Sequence, residues 1–296
     1  MALRVKASPK FGHLSIKDTF MYKFDEILIA LDMSKADENL IRYGFATGAL
    51  VDTKEIILMH VSNQDLKEEA TAADGEVKTV KKMLSDQIHA VAEPISQQYP
   101  NITLVVEVLS GDPLTAMLKA SKEQKVDLII VGRKRVGQGS GKVARELTRR
   151  AFCSVFSVPF NAKPKFERII LPIDYSEFSK MAMQKAITLA KKNPDLEIMP
   201  LSIYALPTGY LQSGKTEAEF SKIMRKNTEK QFKHFVTQFD TKGVKISPCY
   251  QRDNKNFLAK IIFNVALVED ASLIIIGSKG RTTMAAAFLG STTEKL

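Results

Sequence analysis

Only two cysteines, Cys153 and Cys249, and four histidines, His13, His60, His89 and His234, occur in the 296 residues of this chain. None falls into a metal-ligand spacing, so no metal site is expected. Cys153 lies inside the apolar run Ala151-Phe-Cys-Ser-Val-Phe-Ser-Val158, where a thiol packs as a small core side chain rather than acting as a nucleophile. No apolar run is long enough to span a bilayer, and the N-terminus lacks the apolar stretch of a secretory signal; a cytoplasmic protein without membrane contact is the expectation. A Walker loop is also missing. Its nearest approach, Gly137-x-Gly139-x-Gly141-Lys142, has Val136 where the first glycine must stand.

What is present is ordinary globular composition, 45% hydrophobic and 26% charged, in a length that suits about two domains. The formal net charge of +10 leans toward the second half: residues 1–163 hold 23 Lys+Arg against 20 Asp+Glu, residues 164–296 hold 20 against 13. Many of these lysines lie in helix-like stretches such as 185–192 and 222–233, interleaved with apolar positions, as on a solvated helix face. No reader motif accompanies the charge, so nucleic-acid binding is not expected.

The chain repeats itself. Glu26-Ile-Leu-Ile-Ala-Leu-Asp32-Met-Ser34 returns as Arg168-Ile-Ile-Leu-Pro-Ile-Asp174-Tyr-Ser176, 142 residues later, and Val126-Asp-Leu-Ile-Ile-Val-Gly132 returns as Ala271-Ser-Leu-Ile-Ile-Ile-Gly277 at an offset of 145. A period this long marks a duplicated domain rather than a solenoid.

Residues 1–21 read as a polar, basic lead-in with little periodicity. In the first repeat, taken as 22–160, strands are expected at 26–31, 55–61, 103–109, 126–131 and 154–158, and helices at 36–48, 76–98, 112–124 and 143–150, with 64–74 a loop. After a linker at 161–167 the order restarts in 168–296: strands at 168–173, 197–204, 245–250 and 273–276, helices at 180–192, 216–239 and 256–269. Strands alternating with helices predict an α/β fold of two tandem repeats, each an open, mostly parallel, five-stranded Rossmann-like sheet covered on both faces. Only five residues follow Ser291, so the second repeat is expected to lack its last strand. In such folds ligands bind beyond the carboxyl ends of the strands, where Asp32, Asp174 and both glycine loops fall.

The second loop is the more telling. Gly277, Gly280, Gly290 and Ser291 follow the Ile-rich run Ser272-Leu-Ile-Ile-Ile in the spacing Gly-x2-Gly-x9-Gly-Ser. Glycines bring bare main-chain N–H groups against an anion, Ser291 offers a hydroxyl, and a helix opening there would favour negative charge. The pattern resembles the ATP-binding loop of the universal stress protein family. The resemblance covers nearly all of the chain after residue 21 and implies an adenine nucleotide, ATP with Mg²⁺. It implies that Asp174 serves the nucleoside, that Ile203 flanks adenine, and that Gly277, Gly280, Gly290 and Ser291 hold the phosphates, helped by Lys279, Arg281 and Thr292. Asp174 also has a plainer reading as a strand-end turn residue.

The first repeat departs from this pattern. It keeps Asp32, the strand ending Met59-His60-Val61 and Gly111-Asp112-Pro113, but its loop is about four residues short when aligned through Ala151-Phe-Cys-Ser to the family's last strand. Arg135 takes the second glycine's place, and Gly141-Lys142 stands where Gly-Ser is expected. Four cations, Arg133, Lys134, Arg135 and Lys142, can still attract an anion. A degenerate site, binding ATP weakly or not at all, is the expectation. The leading function is a regulatory ATP-binding protein of the stress response. With no general base beside the loop, catalysis is not expected beyond slow ATP hydrolysis. An interaction module without nucleotide, or an adenylating enzyme, are the alternatives. Family members commonly pair domains through their last strands, which implies pairing of the two repeats about a pseudo-twofold axis, and an open edge favours a homodimer.

Overall fold

The computed structural model describes residues 2–5, 24–63, 65–71, 76–133, 141–253 and 257–277. They fall into two compact units: one within Lys6–Pro164, the other formed by Lys165–Leu296 together with Ala2–Val5. The first strand of the chain, β1 (Ala2–Val5), thus belongs with the C-terminal half.

The first unit runs β2 (Glu26–Leu31), α1 (Asp37–Val51), β3 (Glu55–Ser62), β4 (Glu69–Thr71), β5 (Val77–Thr79), α2 (Val80–Ser96), β6 (Thr103–Ser110), α3 (Pro113–Glu123), β7 (Leu128–Arg133), α4 (Lys142–Arg150) and β8 (Ser154–Pro159). Its sheet has the order β6-β3-β2-β7-β8, every pair parallel. Strands covered on both faces need apolar residues on both, and Ile27, Leu28 and Ile29 are fully buried in succession. Leu28, Ala30, Ile57, Met59, Ile129 and Val131 share one core with Met117 and Ala120 of α3 and Leu147 of α4.

The second unit runs β9 (Arg168–Ile173), α5 (Glu177–Lys192), β10 (Glu197–Tyr204), a 3₁₀ turn (Tyr210–Ser213), α6 (Glu217–Val236), β11 (Lys245–Ile246), β12 (Cys249–Arg252), α7 (Leu258–Val268) and β13 (Leu273–Gly277). β11 and β12 both pair with β10, and the order continues β10-β9-β13-β1, all parallel. The expected strand at 245–250 is broken at Pro248, which has no N–H to give to a ladder. Thr216 and Glu219 form a reciprocal capping box that starts α6.

The N-terminus corrects the sequence reading most. Ala2 to Val5 pair with Ile274 to Gly277, in the position beside β13 that was expected to be empty, and they are not part of a polar lead-in. Ala2 packs against the core of Ile170, Ile262, Val265 and Ile274, and Leu3 is 4% exposed. A second correction is local. Residues expected as loop and helix start form the antiparallel β4–β5 pair, so α2 begins only at Val80, with the Thr79 hydroxyl accepting from the Lys82 N–H at 3.3 Å.

Candidate functional site

In the second unit, three of the sequence-predicted site residues come to the carboxyl ends of neighbouring strands. Ser202 lies opposite Ile173, so Asp174 and Ile203 follow side by side, and β13, on the other side of β9, ends at Gly277. Asp174 is held by its own loop: its Oδ1 accepts from the Ser176 N–H at 3.0 Å and from the Ser179 hydroxyl at 2.6 Å. That is the turn role allowed for at the sequence level, and it also fixes a carboxylate at the strand end. Lys279, Gly280, Arg281, Gly290, Ser291 and Thr292 lie outside the described residues.

Gly277 has a steric reason for being glycine. A Cβ there would stand 2.8 Å from both the Cβ and the carbonyl oxygen of Phe178, so the strand end is pressed against the first turn of α5. Positive φ is found instead at Tyr175, at 65°, and at Met33 in the first unit, at 62°. Both follow the strand-end aspartate, and both are unusual for residues with a side chain. Tyr175 was not foreseen as a site residue. Its hydroxyl lies 2.8 Å from the Ser202 Oγ and donates to the Thr228 carbonyl at 3.3 Å, and its ring meets Phe235 edge-on at 5.5 Å. It therefore ties the site-forming turn to β10 and α6.

The first unit repeats the turn. The Asp32 Oδ1 accepts from the Ser34 N–H at 3.2 Å, and Leu31 lies opposite His60. Where the second unit has Ser179, 142 residues on, the first has Asp37. Its carboxylate accepts from the Met33 N–H at 2.8 Å and from the Asp32 N–H at 3.4 Å. Burial, then the neighbouring Asp32 charge, push its pKa up to about 6, against the lowering effect of those two N–H bonds.

These residues line a cavity of about 710 Å³ at the carboxyl ends of β2, β3, β7 and β8, a volume suited to a small-molecule ligand. Leu31, Val61, Met117, Val131, Val143 and Phe160 give it apolar walls, and Arg133 and Lys142 bring positive charge. Gly141, at φ 56°, turns the chain into α4, whose N-terminus therefore borders the cavity and favours an anion there. Lys134 and Arg135 lie outside the described residues. The unit whose loop departs from the pattern thus encloses a defined cavity, which its shortened glycine spacing did not foretell. Among the described residues no group of three or more His, Cys, Asp or Glu could hold a metal ion, and no helix is long and apolar enough to cross a membrane.

Comparison with known proteins agrees with this architecture. The sequence model of the universal stress protein family matches residues 23–159 and 165–296. A universal stress protein from Archaeoglobus fulgidus DSM 4304 superimposes with a TM-score of 0.61 at 18% identity, covering 93% of this chain and 92% of that one. A functionally unknown protein from Pseudomonas aeruginosa PAO1 gives a TM-score of 0.63 at 15% identity over 93% and 89% of the two chains. At such identities the likeness is one of fold. No curated protein sequence matches the chain.

Proposed function

This chain belongs to the universal stress protein family, and from that premise we propose that it is a regulatory protein whose second unit binds ATP with Mg²⁺. The observation that carries the proposal is the convergence of Asp174, Ile203 and Gly277 on the carboxyl ends of β9, β10 and β13, where open α/β sheets bind ligands. The residues beyond Gly277 carry the remaining Gly280, Gly290 and Ser291 of the spacing.

In this reading the anchored Asp174 carboxylate accepts from the ribose hydroxyls and Ile203 flanks adenine. Gly277, Gly280, Gly290 and Ser291 hold the phosphates, helped by Lys279, Arg281 and Thr292. Mg²⁺ arrives on the phosphates, as it does where a protein offers no cage of its own. The first unit binds ATP much more weakly, because Lys142 stands where the hydroxyl is needed and a point charge attracts without setting geometry. Hydrolysis is slow or absent. The protein works in the cytoplasm, in the response to stress.

Calorimetry tests the site. One ATP per chain is expected, with binding abolished in Gly280→Val and in Gly290→Val, since a β-branched residue neither takes positive φ nor leaves room for phosphate. Unchanged affinity in both variants would sink the proposal, and two equivalent sites per chain would overturn the weaker role of the first unit. Nucleotide released by heating the purified protein identifies the ligand; its absence, together with no binding, would favour a nucleotide-free interaction module. Sustained ADP release, lost in Asp174→Ala or Ser291→Ala, would make the protein an enzyme.

A further inference from the structure

The two units build the same strand-end turn with different chemistry. In the second, the Ser179 hydroxyl donates to the Asp174 Oδ1 at 2.6 Å while its Oγ accepts from the Asp174 N–H at 3.0 Å. In the first, the Asp37 carboxylate accepts from the Asp32 and Met33 N–H groups, which holds it beside Asp32, whose charge helps to raise its pKa. Ser179 can always supply a proton to its aspartate. Asp37 can do so only when it is protonated.

We propose that Asp32 and Asp37 form a proton-operated latch on the first unit's cavity: one shared proton closes the pair into the arrangement that Asp174 and Ser179 hold permanently, and its loss leaves two like charges side by side on the cavity wall. Of the elements lining the cavity, β3 brings His60, β7 brings Arg133, α4 brings Lys142, and Lys35 precedes α1, whereas α3 and β8 contribute Pro113, Met117, Val158 and Pro159. Burial, and after it the Asp32 charge, raise the Asp37 titration. Acid therefore removes negative charge from a cavity whose opposite resource is the positive charge of Arg133 and Lys142, and makes the site more favourable to an anion. None of this depends on ATP binding in the second unit.

The test uses the full chain without ligand. Asp37 binds its proton more tightly in the folded chain than in the unfolded one, so the stability it contributes is present in acid and is lost as pH rises through about 6. The urea midpoint of the first unit, followed through the methyl signals of the buried Met59 and Met117, is expected to fall between about pH 5 and about pH 7.5, by roughly tenfold in the folding constant. In Asp37→Ser that fall should vanish. Carbon NMR of the Asp37 carboxyl should show it titrating above the ordinary aspartate range, and Asp32→Asn, which removes the neighbouring charge and keeps the shape, should bring it down. A pH dependence unchanged in Asp37→Ser, or an Asp37 carboxyl titrating in the ordinary range, would overturn the latch.

Discussion

Leu3 lies opposite Ile275 in the second unit, as Phe156 lies opposite Ile130 in the first. Ile130 and Ile275 are the same repeat position, 145 residues apart, so strands from quite different places in the sequence take the same seat. The first unit draws the strand beside β7 from the chain that follows it. The second draws the strand beside β13 from the beginning of the chain. An apolar edge next to a buried strand is a liability, and β1 covers it.

Removing residues 1–5 should therefore destabilise the second unit. Leu3→Ala alone should cost about 2 to 5 kcal/mol, as for a buried leucine in a core. Urea unfolding followed through the methyl signals of Met183 and Met199, both buried in the second unit, would measure it. No loss in the second unit would count against this assignment of β1.

The strand-end glycines should not tolerate substitution equally. Gly277→Ala forces a Cβ to 2.8 Å from the Phe178 main chain, whereas at Gly132 the nearest atom would be the Leu40 Cδ2 at 3.7 Å. Overpacking against main chain costs about 1 to 3 kcal/mol, so Gly277→Ala should lower the unfolding midpoint clearly and Gly132→Ala hardly at all. Similar effects at the two positions would contradict the close packing of β13 on α5.

The strands were legible because parallel strands buried on both faces leave uninterrupted apolar runs, as in Glu26-Ile-Leu-Ile-Ala-Leu31 and Ser272-Leu-Ile-Ile-Ile-Gly277. Their ends, and with them Asp174 and Gly277, followed directly. The role of β1 was hidden, because four residues ahead of a polar stretch carry no periodicity, and their partner lies some 270 residues on. The short β4–β5 pair was hidden because three residues are too few to show a strand period. Asp37 and Ser179 share the 142-residue offset three residues beyond the recurring segment that ends at Ser34 and Ser176, and a one-residue difference gives no signal until the turn's hydrogen bonds are seen. Nothing in the sequence marks Tyr175. Its contacts with Ser202, Thr228 and Phe235 span 27 to 60 positions in sequence.

Tyr175→Phe keeps the edge-on contact with Phe235 and removes the hydroxyl that bonds Ser202 and Thr228. Ser202 is 1% exposed, so water does not readily replace the lost partner. A loss of about 1 to 3 kcal/mol in the second unit is expected, the upper part of that range reflecting a buried polar group left short of a bond. Chemical denaturation checks it, and a loss below a few tenths of a kcal/mol would show that the hydroxyl does not anchor the turn.

The last prediction transplants the difference between the units. Ser179→Asp places a carboxylate beside Asp174 at a position that is 4% exposed in the present chain, more enclosed than Asp37. Burial and a like charge both favour the protonated form, so the introduced carboxyl should titrate above its ordinary value. A group of that kind supports the fold below its unfolded pKa and withdraws support as pH rises through its folded pKa. The second unit of Ser179→Asp should therefore be most stable in acid and weaken toward neutral pH. Ser179→Ala, which removes both hydrogen bonds between the Ser179 hydroxyl and Asp174, should lose stability by about the same amount at both ends of that range. Urea midpoints of the two variants and the parent chain, read from the second unit between about pH 5 and about pH 7.5, decide the matter. A Ser179→Asp profile parallel to that of the parent would mean that a carboxylate pair at this turn does not by itself confer pH sensitivity, and the response of the first unit would then have to arise outside Asp32 and Asp37.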